Sequence, residues 1–150
     1  MNTPVAISSS TLTFGAFESS QTYRSPSKEI ILVDSFRITK DIMGRLLSMM
    51  GYKVTCISSG EDLLEYFVDN HFDLIAEDNL PVVVLESWLV QFSGLEAAQQ
   101  IKQIHPSMKI IMLTCFNNQE LLEGSEVIDM FLVKPVQSVE LDSAIRQLIP

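Results

Sequence analysis

Short apolar runs and longer segments with helical spacing alternate along the chain from Lys28 onward. The short runs are rich in β-branched residues, and the longer segments repeat apolar residues every three or four positions. Five strands are predicted, with the sequences EIILVD, YKVTCI, VVVLE, KIIMLT and FLVK. Five helices are predicted to follow them in turn, at residues 36–50, 60–68, 95–104, 119–122 and 139–148. The alternation predicts a parallel sheet with helices on both faces, a doubly wound α/β sandwich.

Serine residues mark the starts of two predicted helices. Ser58 precedes Glu61 and Ser93 precedes Glu96 by three positions, the spacing that satisfies free backbone donors at a helix N-terminus. We therefore expect both serines to cap helices.

One apolar stripe is predicted for the first helix. Ile38, Ile42, Leu46 and Met50 are spaced by four residues, and Gly51 follows as a stop signal. A stripe with this spacing is typical of the face that packs on a sheet, so we expect it in the core.

The first 27 residues differ from the rest of the chain. They are rich in Ser and Thr and show neither helical nor strand periodicity. The prediction is a flexible tail at 1–27 followed by one domain at 28–150, because the chain as a whole is 47% hydrophobic and long enough to bury a core.

Charge and cysteine content exclude several classes of function. The net charge is −9, with no basic run, which argues against binding to nucleic acid. Cys56 and Cys115 lie far apart without a partner motif, as is typical of reduced thiols rather than of a disulfide or a zinc site. No apolar stretch approaches the length of a membrane span, and we expect a cytoplasmic protein.

Polar side chains follow four of the predicted strands. In an open α/β sheet the functional crevice lies beyond the carboxyl ends of the strands. The residues predicted to meet there are Asp34 and Ser35, Glu86, Thr114 and Lys134.

This set, in this order, resembles the receiver domain of two-component response regulators, over residues 28–150. The resemblance rests on ILVDS, the G-Y-x-V step at Gly51, the SGEDLL and SGLEAA helix starts, IIMLTC and FLVKP. It implies a flavodoxin-like fold and phosphoryl signalling. In that scheme an aspartate on the third strand accepts a phosphoryl group, two acids on the first strand help to hold Mg²⁺, and Thr114 and Lys134 contact the phosphoryl oxygens. Phe131 matches the family's switch aromatic.

The sequence departs from the family scheme at the first strand. Ser35 stands where the second acid would be, which leaves Asp34 as the only carboxylate there. We expect weak Mg²⁺ binding, because Mg²⁺ loses its waters reluctantly unless carboxylates compensate.

A second departure concerns the phosphoacceptor, for which two registers compete. Counting back from Gly94 places Glu86 at the acceptor position, and counting forward from Gly51 places Asp78 there. We favour Glu86, because VVVLE is the more apolar strand and its spacing to Gly94 and Thr114 needs no insertion. Glu86 then either imitates a phosphoryl group or pairs with Lys134 in a decayed site, and the sequence leaves both open. Trp88, just beyond, is expected to pack over the crevice, and a contact with a partner protein is the alternative.

The predicted function is a phosphorylation-independent protein-interaction module in signal transduction, neither an enzyme nor dependent on a cofactor. The alternative is a working phosphoreceiver that uses Asp78, Asp34 and Mg²⁺, with Asp34 and Asp78 as metal ligands. We expect a protein partner on the face formed by the fourth helix, fifth strand and fifth helix, at 117–147, and a homodimer is an alternative. No output domain is expected after the fifth helix.

Overall fold

The computed structural model describes residues 28–70, 80–89, 93–115 and 124–149. These residues form one parallel sheet of five strands in the order β2-β1-β3-β4-β5. The strands are β1 at Glu29–Val33, β2 at Lys53–Ile57, β3 at Val82–Glu86, β4 at Lys109–Thr114 and β5 at Met130–Val133. The predicted tail at 1–27 and the predicted fourth helix at 119–122 lie outside the described residues.

Four α-helices and one 3₁₀ turn accompany the sheet in the described ranges. They are α1 at Arg37–Met49, α2 at Gly60–Asp69, α3 at Gly94–Ile104, the turn at Ser125–Val127 and α4 at Ser138–Leu148. α4 corresponds to the fifth helix predicted from the sequence. The doubly wound, flavodoxin-like fold is confirmed. In the part of the chain that the structure describes, no helix is both long and apolar enough to span a membrane.

Two apolar cores lie on opposite faces of the sheet. Leu63 of α2 and Ile101 of α3 pack in one core, and Leu47 of α1 and Leu141 of α4 pack in the other. Alternate residues of the central strands enter the two cores, as Val83 and Val84 of β3 do. This is why the strands are apolar along their whole length rather than on one face.

The segment VVVLE forms the strand predicted for it. All five residues of β3 are buried, and β3 pairs with β1 on one side and β4 on the other. A central strand has no face in contact with water, which accounts for its composition. Glu86, the last residue of β3, is therefore the position at which the core gives way to the crevice.

The helix caps agree with prediction at one site and differ at the other. The Ser93 hydroxyl accepts a hydrogen bond from the Glu96 N–H at 3.1 Å, as its spacing predicts. The cap of α2 is Ser59 rather than Ser58, and its hydroxyl accepts from the Asp62 N–H at 3.0 Å. Ser58 instead accepts a hydrogen bond from the Lys40 ammonium. S-x-x-D at position 59 serves the same purpose as S-x-x-E, so the one-residue shift leaves the helix start intact.

The prediction that the Ile38 stripe of α1 packs in the core is wrong for three of its four residues, and only Met50 at its end is partly buried against the core. Ile38, Ile42 and Leu46 are exposed, and α1 packs on the sheet through the opposite side of the helix, with Lys40, Gly44, Leu47 and Ser48 buried. Gly44 allows this approach, because a Cβ there would lie 3.0 Å from the Cys56 Sγ of β2. The Lys40 stem is buried, and its ammonium bonds Ser58. Small size and a satisfied charge therefore decided which face packs, against the hydrophobic pattern.

Candidate functional site

The carboxyl ends of β1, β3, β4 and β5 lie side by side and carry the predicted polar residues. Strand pairing joins Val33 to Leu85, Glu86 to Leu113 and Thr114 to Val133. The backbone continues this alignment past the strands, because the Lys134 N–H donates to the Thr114 carbonyl at 2.7 Å. The crevice is thus formed by residues at the carboxyl ends of strands that pair in register.

Glu86 and Lys134 form an ion pair across the crevice. The Lys134 ammonium donates to Glu86 Oε1, and the two side chains are 22% and 3% exposed, respectively. The second carboxylate oxygen, Oε2, lies 3.5 Å from the Trp88 backbone N–H. A carboxylate this deeply buried is stable only when its charge is compensated, and Lys134 supplies that compensation.

The electrostatics of Lys134 reflect this pairing. Partial burial by itself lowers the pKa of the Lys134 ammonium. The hydrogen bond and charge of Glu86, with the charges of Asp34 and Cys115, outweigh that effect and raise the pKa above its ordinary value. Lys134 is therefore fully protonated at neutral pH, and its charge is directed at Glu86.

Asp34 is buried on the other side of the crevice and is already engaged by the backbone. Its Oδ1 accepts the Phe36 N–H at 2.8 Å, at the start of α1. Its own N–H donates to the Ile57 carbonyl at the end of β2, at 3.1 Å. Asp34 thus ties the ends of β1 and β2 to α1. The neighbouring Ser35 is half-buried and offers a neutral hydroxyl, as does Thr114 across the crevice.

Gly94 packs directly against the end of β3. A Cβ at Gly94 would lie 2.3 Å from the Glu86 carbonyl oxygen, closer than any side chain permits. The Gly94 N–H donates to the Ser87 carbonyl at 3.1 Å. The start of α3 is therefore fixed against the Glu86 backbone, and the eight-residue spacing between Glu86 and Gly94 corresponds to a specific contact.

The donor set of the described crevice does not fit a magnesium ion. No group of three or more His, Cys, Asp or Glu side chains that could hold a metal lies within the described ranges. Asp34 is bonded to a backbone N–H, and Glu86 is neutralised by Lys134. Mg²⁺ requires an octahedral oxygen set with carboxylates that replace its waters. Asp78, the alternative acceptor and metal ligand, lies outside the described residues.

Two aromatic residues that the sequence singled out, Trp88 and Phe131, are exposed. The expectation that Trp88 packs over the crevice is wrong, because the residue is 75% exposed and its backbone N–H, not its indole, donates to Glu86. The backbone bends at Ser87, directly after β3. Phe131, on the edge strand β5, is also exposed.

Lys40 is a buried cation that the sequence did not reveal. It lies on the inner face of α1 and donates to Ser58 at the end of β2. A lysine in an amphipathic helix normally lies on the solvent side. The sequence has two serines before α2 although one is enough for the cap, and the other, Ser58, is the acceptor for Lys40. Lys40 joins Asp34 in fixing α1 against the sheet.

Comparison with known proteins gives one consistent family. The family model of the response regulator receiver domain matches residues 30–146. The response regulator MprA of Mycolicibacterium vanbaalenii is 30% identical over 122 residues, which cover 80% of this chain and 49% of MprA. The chain thus spans about half the length of the curated relatives that it matches.

Solved structures agree with this result. A response regulator receiver domain protein from Clostridium thermocellum superposes with a TM-score of 0.71 at 27% identity, over 81% of this chain and 94% of that one. TrrA from Thermotoga maritima, solved with Mg²⁺ and BeF, gives 0.70 at 26% identity, over 81% of this chain and 99% of TrrA. TrrA in its complex with the histidine kinase ThkA gives 0.69 at 25% identity, over 82% of this chain and 99% of that one. Fold, crevice and sequence together show that this chain belongs to the response regulator receiver domain family.

Proposed function

We propose that this receiver domain acts in two-component signalling as a phosphorylation-independent protein-interaction module, with no catalytic activity and no Mg²⁺. The observation that carries the proposal is the ion pair between Glu86 and Lys134. In the family scheme, the lysine of the fifth strand contacts a phosphoryl oxygen. Here the Lys134 ammonium donates instead to the Glu86 carboxylate.

The rest of the crevice supports the same proposal. A phosphoryl group needs a nucleophilic acceptor, a metal ion and fixed positive charge to stabilise the transition state. Glu86 is charge-compensated, Ser35 contributes no charge, and Asp34 is bonded to Phe36. The ends of β3 and β5 are thus held together in one state, which makes the domain a fixed surface rather than a switch.

A partner surface follows from the family and from exposed side chains. Phe131 and Val133 of β5 and Val139 of α4 are exposed apolar residues within the proposed face at 117–147. TrrA binds a histidine kinase in its solved complex. We place the partner of this chain in the same cytoplasmic signalling context, as a protein that recognises the surface near β5 and α4.

The decisive experiment is treatment with acetyl phosphate and Mg²⁺, followed by intact-mass and peptide mass spectrometry. The proposal predicts no phosphoryl increment on the wild-type chain. A matched Ser35→Asp/Glu86→Asp variant restores the carboxylates of the family scheme and is expected to bind Mg²⁺ and gain the increment at position 86. A wild-type increment that maps to Asp78 would contradict the proposal and support the alternative phosphoreceiver.

A further inference from the structure

The outer face of α1 carries an apolar row with nothing packed on it among the described residues. Ile38, Ile42 and Met49 are 75%, 55% and 70% exposed, and Leu46 lies beside them, exposed to a smaller extent. Phe36, the extended residue directly before the helix, is also exposed. We call Phe36, Ile38, Ile42, Leu46 and Met49 the α1 ridge.

The α1 ridge is continuous along the helix. Its four helical members are separated by four, four and three residues, which keeps them on one side of a helix with about 3.6 residues per turn. From the first to the last, the row is about 16 Å long at roughly 1.5 Å per residue. Large apolar side chains in such a row present on the order of 500 Å² of apolar surface, a size at which patches on soluble proteins are often functional.

The charged residues that flank the α1 ridge are complementary between two copies of the helix in one orientation. Arg37 and Asp41 lie 3.8 Å apart at the surface, where such a pair contributes little, and Arg45 follows one turn after Asp41. When two α1 helices cross antiparallel, Asp41 of each copy comes beside Arg45 of the other. A parallel pair would instead align Asp41 with Asp41 and Arg45 with Arg45. The charge pattern therefore favours an antiparallel, two-fold contact.

The apolar positions match the same arrangement. A two-fold axis between Met43 and Gly44 places Ile38 of one copy against Met49 of the other, and the central Ile42 near Leu46. Two facing ridges bury about 1,000 Å² in total, at the lower end of specific interfaces. The net charge of −9 on each copy opposes association, so the contact is weak and depends on concentration and salt.

We propose that the α1 ridge is a homodimer interface, in which two copies of this chain pair antiparallel through α1. The proposal does not depend on the state of the phosphoacceptor pocket, because the ridge faces away from the sheet. It predicts a monomer–dimer equilibrium of the whole chain.

The test is analytical ultracentrifugation of the full chain across a concentration series. We expect reversible dimerisation, and at least a tenfold weaker association for Ile42→Glu. Val68→Glu is the matched control, since Val68 is an apolar residue of α2 outside the ridge and is at least as exposed as Ile42, at 66% against 55%. It should leave the dimer intact. A chain that stays monomeric at every concentration, or a dimer that Ile42→Glu leaves unchanged, would overturn the proposal. In the first case a helix of another protein becomes the occupant to seek.

Orientation has its own test by cysteine crosslinking in a Cys115→Ser background, which removes the exposed thiol. The antiparallel contact predicts that Ile38→Cys and Met49→Cys chains crosslink when mixed and that neither crosslinks with itself. Self-crosslinking of each variant without crosslinking of the mixture would contradict the antiparallel arrangement. The circular dichroism melting curve of each variant reports whether it folds, and Ile42→Ala replaces Ile42→Glu if the latter unfolds.

Discussion

The crevice at the carboxyl edge and the outer face of α1 depart from ordinary protein surfaces in opposite ways. In the crevice, charged side chains are buried and paired, as Glu86 is with Lys134. On α1, large apolar side chains such as Ile38 are left in solvent, while Lys40 takes the inner side. Burial of a charge is tolerated where a partner satisfies it, and exposure of apolar surface is expected where another surface covers it. We therefore interpret the crevice as a site whose charges are satisfied within the chain, and the α1 ridge as a surface that a second chain covers.

The two faces of α1 give the largest contrast. Leu47→Ala removes a fully buried side chain and is expected to lower the free energy of unfolding by about 2–5 kcal/mol. Ile42→Ala, on the outer face, should change it by no more than about 0.5 kcal/mol when measured at concentrations where the chain is monomeric. Urea unfolding of both variants measures the difference. Equal losses would mean that the Ile42 face is packed, and the proposed ridge would be wrong.

Removal of the crevice cation should have the next largest effect. Lys134→Ala leaves the buried Glu86 carboxylate uncompensated and is expected to lower the free energy of unfolding by about 1–3 kcal/mol. Lys109→Ala is the control, because Lys109 is an exposed lysine at the start of β4. Urea unfolding at neutral pH should separate the two variants clearly. If Lys134→Ala changes the free energy of unfolding no more than the control does, the ion pair does not stabilise the fold.

The two cysteines should differ sharply in reactivity. Burial raises the pKa of the Cys56 thiol to about 11, although the nearby Lys40 charge opposes this, whereas Cys115 is exposed. One thiol per chain should react rapidly with a thiol reagent in the native state, and the second only on unfolding. Cys115→Ser should abolish the rapid phase. A rapid reaction at Cys56 would show that the inner face of α1 opens readily.

The pH dependence of the crevice pair should be the smallest effect. Because the folded pKa of Lys134 is raised, its contribution is fully present below the unfolded lysine value of about 10.4 and is lost as pH rises through the folded pKa. The difference in unfolding free energy between wild type and Lys134→Ala should stay constant from neutral pH to about pH 10 and decrease only at higher pH. A difference that falls already near neutral pH would mean that Lys134 does not titrate as its pairing requires.

The sequence predicted the sheet well because a buried parallel sheet leaves a simple signal. VVVLE has no polar residue before Glu86, and the structure places it in the centre of the sheet. Ser93 capped α3 as its spacing predicted. Such elements depend on local chemistry and on burial on both faces of the sheet. Both can be recognised from the residue types in a short stretch of sequence.

The sequence could not predict the rotation of α1. Periodicity identifies an apolar face but does not say whether that face meets the sheet or another molecule. The choice depended on Gly44 approaching Cys56 and on Lys40 reaching Ser58, contacts between residues that are distant in sequence. The crevice was predicted in part. The order of strand ends placed Glu86 near Lys134, but the engagement of Asp34 by Phe36 required the backbone geometry.

A double-mutant cycle with Lys134→Ala, Glu86→Gln and the double variant measures whether the Glu86 carboxylate holds the Lys134 ammonium in the folded chain. Urea unfolding of the four chains gives the coupling free energy between the two side chains. We expect a coupling of about 1–3 kcal/mol, with the double variant recovering part of the loss caused by Lys134→Ala. Additive effects would mean that the two side chains do not interact, and the pocket would then be open to a phosphoryl group.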